Sequence, residues 1–344
     1  MTALPLYLDH AATTPLLPAA REAMLEGFAI WANPSSPHAP GRRARAALED
    51  ARTRIRAALE WDGEVILTSG ASEAIAIAIQ RCVQPLVAVS AVEHEAVLRH
   101  AGQARRLPVD PLGLVLCGEC ALPGLVAVQQ ANSETGVMQA LERVADEVHE
   151  AGGLLLADCA QGAGKLCTPS GADLIALSAH KFGGPIGIGA LLVREWGLLK
   201  PSGGQERGYR GGTENLPGAM AMAAALEAER GWLDTAVALR DRLDTEITAA
   251  GGIPIAEETA RVPSIAAYRM PGKSANAQLI RFDAMGIAVS AGSACSSGSL
   301  RTSHVLSAMG VEGANEVIRV SIGRETTPDG IERFIAAWRE VAGA

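Results

Sequence analysis

Short apolar runs recur through this 344-residue chain and limit what it can fold into. They lie at 65–68, 86–90, 125–129, 154–157, 174–177 and 190–193, each four or five residues of mainly Val, Ile, Leu and Ala. None alternates with polar residues, so each reads as a strand covered on both faces. Helical patterns lie between them. Residues 41–60 put Ala44, Ala47, Leu48, Ala51, Ile55 and Leu59 on one amphipathic stripe, and 141–151 reads as another helix. This alternation predicts an α/β domain with a mostly parallel sheet and helices on both faces.

The pattern changes toward the C-terminus. Residues 215–250 are nearly all helix formers and read as one long helical connector. Beyond it, 264–270, 287–290 and 317–322 read as strands, and 274–285 and 327–338 as helices. Thr327 caps the last of these, with Pro328 at its first position. The expected division is a large α/β domain over 15–250 and a small α+β domain built from 1–14 and 251–344. No internal repeat or long linker interrupts it.

Composition removes several function classes. The net charge is −8, with no basic face in view for a general nucleic-acid binder. No apolar run approaches the roughly 18–20 residues of a membrane helix. The first residues reach Asp9 and His10 without a basic or apolar leader, so the chain reads as cytoplasmic. Six cysteines in this length do not suggest a disulfide framework. Cys117 and Cys120 form a lone CxxC without a second pair or a following His pair, and no metal site is expected. Gly162-Ala163-Gly164-Lys165 resembles a piece of a phosphate loop, but the first glycine is missing and Leu166 replaces the hydroxyl residue.

Ligands of open α/β sheets sit beyond the carboxyl ends of the strands, and the polar residues of this chain fall there. Ser69-Gly70-Ala71-Ser72-Glu73 joins a strand to a helix start, which is an anion site; Ser72-Glu73 equally fits a plain helix cap. His94 follows the second run and has the pKa range of a proton carrier, although a strand-end His is often only structural. Asn132-Ser133-Glu134-Thr135-Gly136 offers hydrogen bonds to a substrate. Asp158 ends the fourth run, where a buried carboxylate needs a cationic partner unless it merely caps a loop; Gln161 follows it. Ser178-Ala179-His180-Lys181 places a lysine beside a Ser, a His and a Gly-rich turn. A deprotonated, immobilised lysine captures carbonyls, and its neighbours can grip a phosphate. Lysine, anion cradle and aspartate together suit pyridoxal 5′-phosphate (PLP), whose protonated pyridine nitrogen the aspartate would pair.

A second reactive feature is Cys295, within Ser290-Ala291-Gly292-Ser293-Ala294-Cys295-Ser296-Ser297-Gly298-Ser299, where seven of ten residues are Ser or Gly. Such a loop loses much entropy on ordering and is expected to be mobile. A thiol on such a tether suits a nucleophile or carrier, and otherwise it is an incidental exposed cysteine.

Eight segments in order resemble one family. They are residues 7–15 (Tyr7-Leu8-Asp9-His10 onward), Asn33-Pro34-Ser35-Ser36-Pro37-His38, Thr68 to Glu73, Glu93-His94, Ser178 to Lys181, Gly203-Gly204-Gln205-Glu206-Arg207-Gly208, Gly212-Thr213-Glu214-Asn215 and Gly292-Ser293-Ala294-Cys295. Together they resemble the cysteine desulfurases, class V aminotransferase-type enzymes of PLP fold type I. The resemblance implies a homodimer in which Lys181 carries PLP and Asp158 and Gln161 hold its ring. It implies that His94 stacks on that ring, that Ala71, Ser72, Ser178 and His180 hold the phosphate, and that Thr213 reaches it from the other subunit. Arg319 would clamp the carboxylate of L-cysteine, with Asn33 and Ser133 near the substrate. Cys295 would accept the sulfur as a persulfide and pass it to an acceptor such as an Fe–S scaffold, leaving alanine. The chain departs from the family at Ser133, where a second Asn is usual, at Ser72, where Thr is usual, and at Cys159, a second thiol beside Asp158. It is also short around 80–85 and 116–124. A selenocysteine lyase or other PLP β-lyase is the alternative on the same scaffold, and a non-catalytic binding protein a third.

Overall fold

The computed structural model describes residues 5–116, 118–292 and 302–343, so Cys117 and Cys295 lie outside the described residues. The strands in chain order are β1 Leu6–Tyr7, β2 Glu64–Thr68, β3 Leu86–Ser90, β4 Arg105–Leu107, β5 Leu125–Gln129, β6 Leu154–Asp158, β7 Leu174–Ser178, β8 Gly189–Val193, β9 Ile253–Pro254, β10 Ile265–Arg269, β11 Ile287–Ala288 and β12 Val317–Ser321. Seven form one sheet in the order β2-β8-β7-β6-β5-β3-β4. Within it β8 alone runs against its neighbours; the other pairings are parallel. All six predicted runs are strands of this sheet. The seventh, β4, carries two exposed arginines in three residues and has no apolar run to announce it.

The runs are apolar throughout because each face of the sheet has its own core. Val65, Leu67, Val126, Val128, Ile175 and Leu177 face one core with Ala44, Leu48 and Ile55 of the helix Ala39–Ala58. Ile66, Leu125, Ala127, Leu174 and Ala176 face the other, against Ala74, Ile75 and Ala78 of the helix Ala71–Arg81. Each fully buried Leu, Ile or Val contributes roughly 1.5–3 kcal/mol by leaving water. The register aligns Gln129 with Asp158 and Ser178 with Gly189, which brings the polar strand ends to one edge.

The predicted single connector over 215–250 is two helices, Leu216–Leu226 and Trp232–Ala249. The break falls at Glu227-Ala228-Glu229-Arg230-Gly231, where charged residues and a glycine replace the apolar pattern. The first helix is buried almost all round in the core beneath the sheet. The second packs elsewhere: Ala236, Leu239, Leu243 and Ile247 join Leu8, Tyr268, Phe282, Phe334 and Trp338 in a third core. That core lies against the antiparallel sheet β12-β10-β9, while β1 pairs in parallel with β11. Thr327 caps the final helix, Pro328–Ala342, as predicted, accepting from the Gly330 amide at 3.1 Å. Among the described residues no helix is long and apolar enough to cross a membrane.

Candidate active site

A cavity of about 400 Å³ opens beyond the carboxyl ends of β2, β6 and β7. Ala71, Ser72, His94, Ser133, Asp158, Gln161, Ser178, His180, Lys181 and Arg319 all line it. Lys181 sits in the short 3-10 turn that follows β7. Its Nζ donates to the carbonyls of Ala11 at 2.7 Å and Ala12 at 2.9 Å. The segment carrying those carbonyls is tied to the same turn, because the Thr14 amide donates to the His180 carbonyl at 2.8 Å. Gln161 Nε2 donates to the same Ala11 carbonyl at 2.8 Å.

Asp158 ends β6 and is 7 % exposed, with one carboxylate oxygen accepting from the Ala160 amide at 2.9 Å. Among the described residues no lysine or arginine forms an ion pair with it. Burial raises its pKa, partly offset by the Ala160 amide and by His94 and Lys181. His94 caps the short helix Glu95–Leu98, its Nδ1 accepting from the Ala96 amide at 3.1 Å. This bond leaves the proton on Nε2. Burial lowers the pKa of His94, against the pull of Asp158, so the ring is neutral near neutral pH. Glu93 is fully buried beside them. Burial and the Asp158 charge push it well above the usual carboxylate range.

The anion cradle forms at the start of the helix Ala71–Arg81, whose first backbone N–H groups have no partner within the helix. Gly70 makes the turn possible with φ +154°, and a Cβ there would stand 3.3 Å from Ser178 Oγ. A Cβ on Gly189 of β8 would meet the Gly70 Cα at 2.6 Å, so two glycines let the turn lie against the sheet. His180 completes the wall. Burial, then the charges of Lys181 and Lys165, lowers its pKa to about 4, leaving a neutral ring.

Arg319 of β12 reaches the cavity from the antiparallel sheet β12-β10-β9. Its guanidinium donates to Asp9 Oδ1 at 2.8 Å and to the Ser133 carbonyl at 2.9 Å, and its buried Nε has no partner among the described residues. The guanidinium fork expected to clamp a carboxylate is thus partly engaged within the chain, with its Nε–H among the donors left over.

Asn33 and Thr213 are placed elsewhere in this chain. Asn33, expected near the substrate, is exposed in the turn between two helices, where its side chain accepts from the Ser35 amide at 2.9 Å. With Thr213 it lines a separate surface groove that also holds Phe28 and Trp31. Those helices pack beneath the sheet, and that packing carries Asn33 away from the cavity of its own chain. Cys295 lies outside the described residues, though the residues flanking them meet at Glu134. Its Oε2 accepts from Ser303 Oγ at 2.6 Å, and a Cβ on Gly292 would come within 1.9 Å of it. Cys159 lies in the core, where burial holds its thiol pKa well above the usual value. The sequence reading passed over Glu93, Glu134 and Lys165 as site residues. Each carried a signal without a role: Glu93 adjoins His94, Glu134 lies in the segment that offers hydrogen bonds to a substrate, and Lys165 ends the phosphate-loop fragment.

A buried aspartate without a cationic partner, a lysine within reach of it and a helix start turned to the same cavity fit a group with an aldehyde, a basic ring nitrogen and a phosphate. Fold and cavity together define a fold-type I transferase scaffold. The chain belongs to the class V aminotransferase family, whose model matches residues 6–334. It is 38 % identical to the cysteine desulfurase of Gluconacetobacter diazotrophicus over 96 % of this chain and 91 % of that one. Its fold superposes on the X-ray structure of a NifS-like protein from Rickettsia africae with a TM-score of 0.90 at 28 % identity, covering 99 % of this chain and 100 % of that one. SspA, solved in complex with cysteine, is similar at 27 % identity and TM-score 0.78, over 93 % of this chain and 99 % of SspA.

Proposed function

We propose that this chain is a cytoplasmic, PLP-dependent cysteine desulfurase that converts L-cysteine to L-alanine and takes the sulfur onto Cys295 as a persulfide. One observation carries it: Lys181 and the unpaired, buried Asp158 share a cavity with a helix start, inside a chain 38 % identical to a cysteine desulfurase. Lys181 would hold the cofactor through its amine and Asp158 through the ring nitrogen. Gln161 would donate Nε2–H to the ring oxygen, and His94 would lie on the ring face. Ala71, Ser72, Ser178 and His180 would hold the phosphate. Bound PLP supplies an electron sink at the substrate α-carbon.

The remaining chemistry belongs to side chains. Arg319 binds the substrate carboxylate, with Ser133 beside it. Lys181 Nζ moves the proton at the substrate α-carbon. The Cys295 thiolate attacks the substrate sulfur. One S–S bond forms as the Cβ–S bond breaks, and the electron pair stays with Cβ, which takes a proton to give alanine. The persulfide then passes to an acceptor such as an Fe–S scaffold protein. Thr213 and Asn33 would act across a homodimer, since they share a groove with the exposed Phe28 and with Trp31, which is 82 % exposed. A surface of this kind favours coverage by a partner. Replacing Cys295 by Ser is expected to abolish sulfur transfer from L-cysteine. Unchanged alanine release with sulfide in solution would contradict the proposed role.

A further inference from the structure

A second, smaller cavity lies behind Lys181, lined by His10, Lys165, Lys181, Trp232, Ser264 and Arg324 among others. Among the described residues no carboxylate lines it. Lys165 is 8 % exposed and follows the Asp158–Gln161 segment in a tight turn. Among the described residues its ammonium makes one side-chain hydrogen bond, to Gln161 Oε1 at 3.5 Å. The other end of that amide donates to the Ala11 carbonyl, which also accepts from Lys181 Nζ. The two lysines are therefore joined through one glutamine amide and one carbonyl.

A buried ammonium without a carboxylate partner costs stability that a methionine of similar length would not. A residue kept at such a cost needs a use. Burial and the charge of Lys181 lower the pKa of Lys165 to about 7. The interaction is mutual: each ammonium makes the other harder to protonate. His10, His180 and Arg324 face the pair from the N-terminal segment, the β7 turn and the segment after β12. Asp158 and His94 act on Lys181 from the opposite side. The histidines are neutral near pH 7, each lowered to about 4 for His10 and His180, so Lys165 is the nearest titrating cation.

We propose that Lys165 is a positioning residue for Lys181, holding the Gln161 amide with its N–H toward the main cavity and acting as a second cation that favours the unprotonated, reactive form of the Lys181 amine. This role rests on the PLP function proposed above. A lysine beside another cation is a recognised way to lower the protonation of a nucleophilic amine.

Covalent uptake of PLP by the full-length, cofactor-free chain tests it without turnover. The rate is followed by absorbance across pH for the natural chain, Lys165→Met and Lys165→Arg, with the melting temperature of each recorded. The expected result is an opposite response of the two variants. Met moves the rate profile to higher pH and slows uptake at neutral pH by about tenfold, one pKa unit. Arg, always charged, leaves the profile in place or moves it lower. Identical profiles in folded Met and natural chains would overturn the proposal, as would an Arg variant that moves in the same direction as Met. If the natural chain itself takes up no PLP, the proposed function fails, and the role of Lys165 fails with it; uptake by the natural chain with unmoved variant profiles sinks only the role of Lys165.

Discussion

At the scale of single residues, the site holds charges where stability gains nothing from them. Asp158 is buried, its pKa is raised, and among the described residues no lysine or arginine forms an ion pair with it. Asp158→Asn keeps the shape and the bond from Ala160 while removing the charge. It is expected to lower kcat by about 10²–10³-fold, the usual cost of losing one preorganised electrostatic partner. The melting temperature of the cofactor-free variant is expected to stay level or rise; a marked fall would mean that Asp158 serves the fold. His10 shifts the other way. Burial first, then Lys165, lowers it from 6.5 to about 4. The unfolded chain therefore takes a proton near pH 6.5 that the folded chain refuses until about pH 4. The contribution of His10 is present above that window and is lost as pH falls through it. His10→Gln should flatten the decline of melting temperature over this range, measured in parallel with the natural chain.

At the scale of elements, Glu134 ties pieces that are distant in sequence. It accepts from Ser303, which also caps the helix His304–Ala308, and its carboxylate lies against Gly292. Burial raises its pKa and the Ser303 bond opposes the rise. Gly292→Ala puts a methyl group where the carboxylate stands. It is expected to cost about 1–3 kcal/mol by denaturant unfolding. Combined with Glu134→Ala the loss should be smaller than the sum of the single losses, because the clash is shared. Elements were the most legible part of the sequence. Continuous apolar runs marked six strands, and Thr327-Pro328 marked a helix start. The break in the predicted connector was hidden because Glu227 to Arg230 are good helix formers, and only the packing of two helices into different cores separates them. β4 was hidden because an edge strand with exposed arginines has no apolar face to show.

At the scale of the whole molecule, the site is a meeting of segments from both ends of the chain. Asp9 and Ala11 come from the N-terminus, Asp158 and Lys181 from the sheet and Arg319 from β12. The strand-end residues could be read from sequence because an α/β sheet sends its polar ends to one edge. The engagement of Arg319 by Asp9 could not be read, since it depends on the segment after β1 bridging to Ser321 at the end of β12. Lys165 was set aside as a failed phosphate loop, because nothing local in the sequence shows that a turn will bury it behind Lys181. That Asn33 lines a surface groove and not the cavity of its own chain could not be read either, since a motif does not say on which face its helices will pack. The central claim is sulfur transfer to Cys295, and one single turnover tests it most directly. The PLP-loaded chain is mixed with L-cysteine, and alanine and the mass of the Cys295 peptide are read together. Alanine with that peptide heavier by one sulfur atom is the expected result; alanine with free sulfide and an unmodified Cys295 peptide would contradict it.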